Sequence, residues 1–196
     1  MRIKLKTLLI PLVSANLLVA CATTGKVAYV DPNAVNTLTT NFTQNDLRLT
    51  AQDMATSLIQ SGKINQCKTF TISPVRNETD QYVDTSVMSN AMTDKLTNSS
   101  AVKSTYVLSS DDMGNQVDEL QRQNQSGLYD RSSTAKMGRM KGAECRIDGK
   151  LTSDTSVAPD GKTMLVSYTF FVQLFNVQQG TALWRRNKSI SKSLTY

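Results

Sequence analysis

The order of hydrophobic and polar positions divides the chain into an apolar N-terminal run, a polar stretch and a longer part with regular periods. The apolar run, residues 7–19, contains no charged residue. Residues 22–41 are mostly polar and show little periodicity, which is typical of a linker. From residue 42 onward, helix-like and strand-like periods alternate. The pattern therefore predicts one globular domain, residues 42–196, behind a short leader and a linker.

Segments with apolar residues at steps of three and four are predicted to be helices. The first is 44–61, which Thr43 or Asn45 could cap and which Gly62 would end. The others are a helix from 84 or 85 to about 97, a helix that begins after 109 and fades into the polar run 121–127, and a shorter helix at 132–141.

The remaining apolar segments are predicted to be strands. They are 67–75, 104–108, 144–151, 163–177 and 181–189. Pro74 should end the first strand because proline has no N–H for a sheet, and 77–79 is expected to be a polar loop. Helices between the first three strands imply βαβ crossovers, and short turns join the last three into an antiparallel meander. We predict the α/β class, with a single mixed sheet and helices packed on it.

The apolar run has the features of an export signal. Three basic residues and no acid precede it, namely Arg2, Lys4 and Lys6. It is too short to cross a bilayer as a helix, which needs about 20 residues. Its length, charge pattern and position indicate a signal peptide, residues 1–20.

Cys21 changes what kind of signal this is. The sequence Leu-Val-Ala-Cys at 18–21 resembles the lipobox of bacterial lipoproteins, which implies cleavage after residue 20 and a lipid on Cys21. An ordinary secretory signal with an incidental cysteine is the alternative. Because Ala22 stands where an aspartate would imply the inner membrane, we expect a lipid anchor in the outer membrane, facing the periplasm. Each buried CH2 of such an anchor contributes about 0.8 kcal/mol, and the linker could reach about 70 Å.

Composition narrows the chemistry of the globular part. The chain has no histidine, the commonest metal ligand and the commonest general acid/base near neutral pH. Neither a G-x-S-x-G motif nor a phosphate-binding glycine loop is present. The acidic pairs Asp111/Asp112 and Asp118/Glu119 could be imagined in a hydrolase, but at the start of a helix acids stabilise the helix dipole. We therefore expect no enzyme, no cofactor and no metal site.

The net charge does not indicate nucleic-acid binding. The formal charge of the whole chain is +6, from 22 basic and 16 acidic residues. Three of the basic residues belong to the signal peptide, so the mature chain carries about +3. That excess is too small to suggest a nucleic-acid partner.

Cys67 and Cys145 form an even pair in a compartment that is expected to be oxidising. Each precedes or begins a predicted core strand, and parallel pairing of those two strands would bring the thiols together. A disulfide is one interpretation. Two buried reduced cysteines are the other, because disulfides between adjacent parallel strands are geometrically awkward.

Several short motifs resemble one family in their order and spacing. They are Pro74-Val-Arg-Asn-Glu-Thr79, Leu108-Ser-Ser110, the Gln-rich segment 118–127, Arg131-Ser132 with Lys136, Gly142-Ala-Glu144, and 178–184 in the last hairpin. With the lipobox, the stretch 42–188 resembles the penicillin-binding-protein activators of the LpoB family. The resemblance implies an outer-membrane lipoprotein whose domain is similar to the TolB N-terminal domain. Such a protein reaches through peptidoglycan, docks on a bifunctional class A penicillin-binding protein and stimulates its glycosyltransferase and transpeptidase.

The resemblance also implies where docking occurs: on the loop and short helix after the Gln-rich segment and on the strand that follows. The corresponding residues are Tyr129, Asp130, Arg131, Lys136, Arg139, Asp148 and Lys150. Tyrosine and arginine are favoured at binding hot spots. A plain solvated helix face is the other interpretation of these residues.

Two alternative functions stay open at this point. A structural or accessory lipoprotein of an outer-membrane assembly, similar to curli-secretion lipoproteins, would need membrane-crossing hairpins, for which only 163–177 and 181–189 are available. A hydrolase would need an acid/base set that the composition does not supply. The sequence favours a non-enzymatic activator of peptidoglycan synthesis.

Overall fold

A computed structural model shows the helices and strands that the sequence pattern forms. It describes residues 39–196 together with Asp31 and Ala34, except for the side chain of Asp111. Within this part, the helices are α1 (Gln44–Ser61), α2 (Ser86–Thr97) and α3 (Ser110–Gln125). The strands are β1 (Thr69–Ile72), β2 (Arg76–Glu78), β3 (Thr105–Tyr106), β4 (Cys145–Val157), β5 (Thr163–Asn176) and β6 (Thr181–Thr195). A short 3-10 turn, Lys63–Gln66, follows α1.

The N-terminal segments lie outside the described residues. They include the predicted signal peptide, the predicted lipidation site Cys21 and most of the predicted linker. The described residues other than Asp31 belong to one unit, Pro32–Tyr196, and Asp31 ends the other, Met1–Asp31. None of the helices in the described part is long and apolar enough to cross a membrane.

All the strands join one mixed sheet, as predicted. Its order is β3-β1-β4-β5-β6, and β2 pairs with β4 beyond the end of β1. The pairs among β1, β2, β3 and β4 are parallel, whereas β4, β5 and β6 form an antiparallel meander. The predicted fold class is therefore confirmed, and the hairpins at 163–177 and 181–189 are part of this sheet.

One face of the sheet carries the core. Helix α1 buries the predicted stripe of Leu47, Ala51, Met54, Ala55 and Leu58. Helix α2 packs beside it and adds Met88, Met92 and Leu96. The sheet contributes Phe70, Ile72, Ile147, Leu151, Phe170, Val172 and Leu174, all at most 3% exposed. Along each strand these residues alternate with less buried ones, whose side chains lie on the opposite face of the sheet.

Both ends of α1 follow the chemistry predicted for them. Thr43 caps the N-terminus: its Oγ1 accepts from Asp46 N at 3.3 Å, and Asp46 Oδ2 accepts from Thr43 N at 2.9 Å. This reciprocal pair is a capping box. Gly62 ends the helix with φ of 66°, a left-handed conformation that glycine adopts without a steric penalty.

A cluster around Phe42 fixes where the chain enters the domain. The ring stacks on Tyr168 with centroids 4.7 Å apart. Gln81 brackets the same residue, accepting from Phe42 N at 2.9 Å and donating to Phe42 O at 3.1 Å, while Tyr168 Oη donates to Gln81 Oε1 at 3.1 Å. Phe42 is only 3% exposed, so the packed region extends to it.

The predicted disulfide partners lie side by side. Cys145 begins β4 opposite Phe70 of β1, and Cys67 stands just before β1. In the structure the two cysteines are joined in a disulfide with a Cα–Cα distance of 5.9 Å, across a sequence separation of 78 residues. This distance lies within the usual range for disulfides.

Two predicted segments are wrong. The short helix at 132–141 is a series of turns, because Ser133 Oγ and Thr134 Oγ1 donate to carbonyl oxygens three residues earlier and Gly138 has φ of 75°. Such local bonds compete with helix formation. The predicted loop at 77–79 is partly strand, since β2 resumes the pairing with β4 after the interruption at Pro74.

Other boundaries differ from the prediction in length. Strand β3 has only two residues, while β4 continues to Val157 and β6 to Thr195, well beyond the predicted ends at 151 and 189. Most of the extra residues are polar and most are exposed, so these segments carry little apolar signal. Antiparallel pairing with β5 holds them in the sheet.

Candidate protein-binding surface

The predicted docking residues fall into two groups. Five of them, from Tyr129 to Arg139, lie in the loop between α3 and β4, residues 126–144. The other two, Asp148 and Lys150, lie on β4. In the described part of the chain, no hydrogen bond or ion pair joins the first group to the second.

The loop is exposed yet held to its surroundings. Asn124 Nδ2 donates to Ala135 O at 2.9 Å, and Ala135 N donates to Gln123 Oε1 at 3.0 Å, so the loop folds back on α3. At its other end, Thr69 Oγ1 donates to Gly142 O at 2.8 Å. The loop therefore reaches β4 past Thr69, a residue that alternates with the core residue Phe70.

Asp130 organises the first turn of this loop. Its Oδ1 accepts from Ser132 N at 2.9 Å and its Oδ2 accepts from Ser132 Oγ at 2.7 Å. These bonds, the backbone one first, lower the pKa of Asp130. Arg131, Lys136 and Arg139 are exposed beside it, so the loop presents basic side chains to the solvent.

Asp148 and Lys150 belong to the sheet face opposite the core. We call this surface the open face; its residues are Arg76, Glu78, Arg146, Asp148, Lys150, Phe171, Gln173, Phe175 and Arg185. Cross-strand pairing brings them together, because Lys150 stands between Arg76 and Phe171. In the next row Gln173 stands between Asp148 and Arg185.

Cations lie over both aromatic rings of the open face. Arg146 Cζ is 4.9 Å from the centroid of Phe175, and Lys150 Nζ is 5.7 Å from the centroid of Phe171. These distances are within the range of cation–π attraction. The contacts hold long side chains flat along the sheet, which reduces the entropy that they would lose on binding a partner.

The two carboxylates of the open face are already paired. Lys150 Nζ lies 2.9 Å from Glu78 Oε2, and Arg146 Nε lies 3.0 Å from Asp148 Oδ1. The hydrogen bond from Lys150 lowers the pKa of Glu78 by more than burial raises it, and the charges of Lys150 and Arg76 lower it further. Four cations against two carboxylates leave the face positive.

Sequence reasoning missed most of the open face. Arg76, Phe171, Phe175 and Arg185 were not predicted as site residues, although Phe171 and Phe175 were recognised as strand residues. The face of the sheet on which each of these side chains lies could be assigned only once the register of β4, β5 and β6 was known. The only signal for this surface in the sequence was the presence of basic residues at 146–150 and 185–186, within segments predicted to be strands.

A groove lies away from the open face, between α1 and the end of β6. It has a volume of about 650 Å³ and is lined by Leu49, Thr50, Ile190 and Leu194 among others. Two ion pairs cross it: Lys192 Nζ is 2.7 Å from Asp46 Oδ2, and Lys188 Nζ is 3.3 Å from Asp53 Oδ2. These pairs attach α1 to the edge strand.

No group of three or more histidine, cysteine, aspartate or glutamate side chains is arranged for metal binding within the described residues. Besides the groove beside α1, the surface of this part carries an exposed basic loop and a positive sheet face with aromatic rings. Such surfaces suit contact with another macromolecule.

Comparison with known proteins identifies the family. A family model described as the peptidoglycan-synthase activator LpoB matches residues 46–190. The chain belongs to this family. The resemblance inferred from the sequence motifs is thereby confirmed.

Solved structures of LpoB are among the proteins to which this chain is similar. The C-terminal domain from Escherichia coli is 14% identical, with 74% of this chain and 98% of that one covered and a TM-score of 0.45. The NMR structure of E. coli LpoB is 16% identical over 94% of this chain and 91% of that one, with a TM-score of 0.42. The C-terminal domain from Salmonella enterica is 14% identical, covering 74% and 98%, with a TM-score of 0.44. No curated protein matches the chain.

The match to the LpoB family covers both groups of predicted docking residues. It includes the loop at 126–144 and every residue of the open face, while Phe42 precedes it. A member of a family of peptidoglycan-synthase activators needs a surface for the synthase, and both candidate surfaces lie in the shared region.

Proposed function

We propose that this protein binds a bifunctional class A penicillin-binding protein and stimulates its synthesis of peptidoglycan. The observation that carries the proposal is the match of the synthase-activator family to residues 46–190. The exposed basic loop and the positive open face support it, because both are suited to protein contact. The protein acts as a partner and not as an enzyme in this proposal.

Activation requires a difference in affinity. An activator shifts a synthase toward its active state only as far as it binds that state more tightly than the idle one. A preference of about 1.4 kcal/mol corresponds to a tenfold shift in the equilibrium. Ordered side chains on a rigid sheet suit this role because little of the binding energy is lost in ordering them.

The proposed address is the periplasmic face of the outer membrane, with lipid on Cys21. Its basis is the sequence 18–21 and Ala22. The lipidated residue and the linker 22–41 precede the globular domain 42–196, which would stand free of the membrane. Replacing Cys21 by alanine should move the protein out of the membrane fraction; a variant that still fractionates with the outer membrane would show that lipid is not the anchor.

The proposed docking residues are Tyr129, Asp130, Arg131, Lys136, Arg139, Asp148 and Lys150. We expect the mature chain with Cys21→Ala to bind at least one purified class A penicillin-binding protein from the same organism. Arg131→Glu or Arg139→Glu should weaken binding, because reversing an interface anchor often costs about 2 kcal/mol or more. Lys63→Glu, an equal change of charge in the exposed turn after α1, is the control.

Surface plasmon resonance with immobilised synthase measures this directly. Unchanged thermal unfolding of Arg131→Glu would show that the variant is folded, since surface substitutions usually stay within about 0.5 kcal/mol. If the mature chain bound none of the class A synthases at tens of micromolar, the proposal would be wrong.

A further inference from the structure

The open face contains a small cavity surrounded by cations. Its volume is about 150 Å³, and its lining includes Arg76, Lys150 and Arg185 together with Asp148, Gln173 and Phe171. Pockets for drug-sized ligands occupy roughly 300–1,000 Å³. The cavity is therefore of a size to receive one side chain rather than a small-molecule cofactor.

The charges around the cavity are not balanced within the face. Asp148 is paired with Arg146, and Glu78 is shared between Lys150 at 2.9 Å and Arg76 at 3.8 Å. Arg185 is exposed and has no ion pair to any residue in 39–196. The cavity therefore has surplus positive charge on two sides, from Arg76 on β2 and Arg185 on β6.

The chemistry of the lining selects the group that would enter. Arginine presents planar, multiple N–H donors that match a carboxylate in a bidentate geometry. The rings of Phe171 and Phe175 lie on the same face and are only partly buried, so they offer an apolar surface next to the cations. A carboxylate flanked by an apolar side chain complements this arrangement in both charge and polarity.

We propose that the cavity is a socket for an aspartate or glutamate side chain of the synthase, inserted between Arg76, Lys150 and Arg185. The inference rests on the proposed function for the identity of the partner and adds the chemistry of the contact. Charge complementarity is the ground for this choice of occupant, since four cations on the face meet two carboxylates that are already paired. Apolar residues beside the inserted acid pack on Phe171 and Phe175.

Neighbouring arginines on β6 provide a matched test. Arg185 lines the socket, whereas Arg186 is the next residue on the strand and points to the other side of the sheet, where it lines a separate depression near Asp53. Arg185→Glu and Arg186→Glu change the net charge equally and leave the same strand in place. Only the first removes a cation from the socket and adds a repelling acid.

The experiment measures the dissociation constant of the mature Cys21→Ala chain and a detergent-solubilised class A synthase by surface plasmon resonance. We expect Arg185→Glu to raise it at least tenfold, Arg76→Glu to raise it in the same direction, and Arg186→Glu to change it less than twofold. Thermal unfolding of each variant checks folding, and Arg185→Gln, which removes the charge without repulsion, should give an intermediate loss.

The outcomes separate the socket from the proposed function. If the unsubstituted chain binds and Arg185→Glu and Arg186→Glu weaken binding equally, the socket is wrong and the activator proposal stands. If the unsubstituted chain binds no class A synthase, both fail. If a soluble muropeptide with free carboxylates binds with the same dependence on Arg185, the occupant is a cell-wall fragment and the assignment to a protein side chain is overturned.

Discussion

Asp46 shows how one side chain serves two structural purposes. It completes the capping box of α1 with Thr43, and its carboxylate accepts from Lys192 Nζ of β6 at 2.7 Å. The residue is 5% exposed, so its charge is held in a site where an unpaired carboxylate would be costly. The start of the first helix is thus fixed to the last strand.

The two lysine–aspartate pairs between β6 and α1 should differ in their contribution to stability. The side chains of Lys192 and Asp46 are 12% and 6% exposed, whereas those of Lys188 and Asp53 are 46% and 61% exposed. We expect Lys192→Met to lower the free energy of unfolding by about 2 kcal/mol, the scale for losing a hydrogen bond to a charged group. Lys188→Met should change it by less than about 1 kcal/mol.

Urea unfolding at neutral pH compares these variants. Equal losses for Lys192→Met and Lys188→Met would contradict the difference in burial on which the prediction rests.

The pairing of Asp46 should also appear in the pH dependence of stability. Burial alone would raise its pKa, but hydrogen bonds from Lys192 and Thr43 outweigh burial and lower it below the ordinary value of 3.8. A lowered pKa in the folded state gives a contribution that is present above the unfolded pKa and is lost as the pH falls through the folded one. Asp46→Asn should therefore destabilise the protein at pH 7 and destabilise it less near pH 3.

Urea unfolding of the wild type and Asp46→Asn at both pH values tests this. A difference between the two proteins that was the same at pH 3 and at pH 7 would show that the charge of Asp46 is not what stabilises the fold.

At the scale of elements, Gly149 governs how closely β4 packs on the core. A Cβ atom at this position would lie 2.9 Å from Phe170 Cε2 and 3.0 Å from Val75 Cγ2. Gly149→Ala should lower the free energy of unfolding by about 1–3 kcal/mol, the range for overpacking. Gly114, in the interior of α3, has nothing within 4 Å of the same atom.

Gly114→Ala is the matched control for this substitution. Alanine should stabilise the exposed helix by about 0.5–1 kcal/mol because glycine loses more conformational freedom on folding. Chemical denaturation gives both values. If Gly149→Ala were as stable as the wild type, the close packing of Phe170 and Val75 around β4 would be wrong.

The disulfide connects Cys67, between the 3-10 turn and β1, with Cys145 at the start of β4. Closing a loop across 78 residues should stabilise the fold by roughly 4 kcal/mol in the chain-entropy model. Mass spectrometry of unreduced mature protein after alkylation should find no free thiol at Cys67 or Cys145, and reduction should lower the unfolding temperature. Two alkylated cysteines in the unreduced protein would contradict the pairing.

Sequence patterns were reliable where local and tertiary preferences agree. The bounds of α1 were predicted correctly because an apolar stripe, a cap at Thr43 and Gly62 all indicate the same helix. They failed at 132–141, where side-chain bonds from Ser133 and Thr134 to the backbone outweigh helical propensity. Strand β2 was missed because its residues are exposed, and only pairing with β4 makes them a strand.

Only part of the candidate protein-binding surface could be predicted, because sequence motifs are local and the rest of the surface depends on strand pairing. The loop residues, Asp148 and Lys150 were predicted from the family resemblance, which rests on motifs that are local in sequence. Arg76 and Arg185 are about 110 residues apart and come to one cavity only through the register of four strands. A single sequence does not specify that register, since each strand could present either face until the hairpins fix it.

At the scale of the whole molecule, the fold divides its sheet between stability and contact. Helices α1 and α2 cover the face with the buried core, while the other face keeps charged and aromatic side chains partly exposed. A lipid on Cys21, as proposed, would hold this domain on the outer membrane by a linker. The partner then meets a rigid surface whose position is limited by the length of that linker.

The rate of glycan polymerisation from lipid II tests the proposed function most directly. A purified class A penicillin-binding protein from the same organism is assayed alone and with the mature Cys21→Ala chain, and the chain is assayed alone. We predict a faster rate for the two proteins together, no polymerisation by the chain alone, and a reduced effect with Arg131→Glu. An unchanged rate with every class A synthase of the organism, at concentrations that saturate binding, would contradict the account.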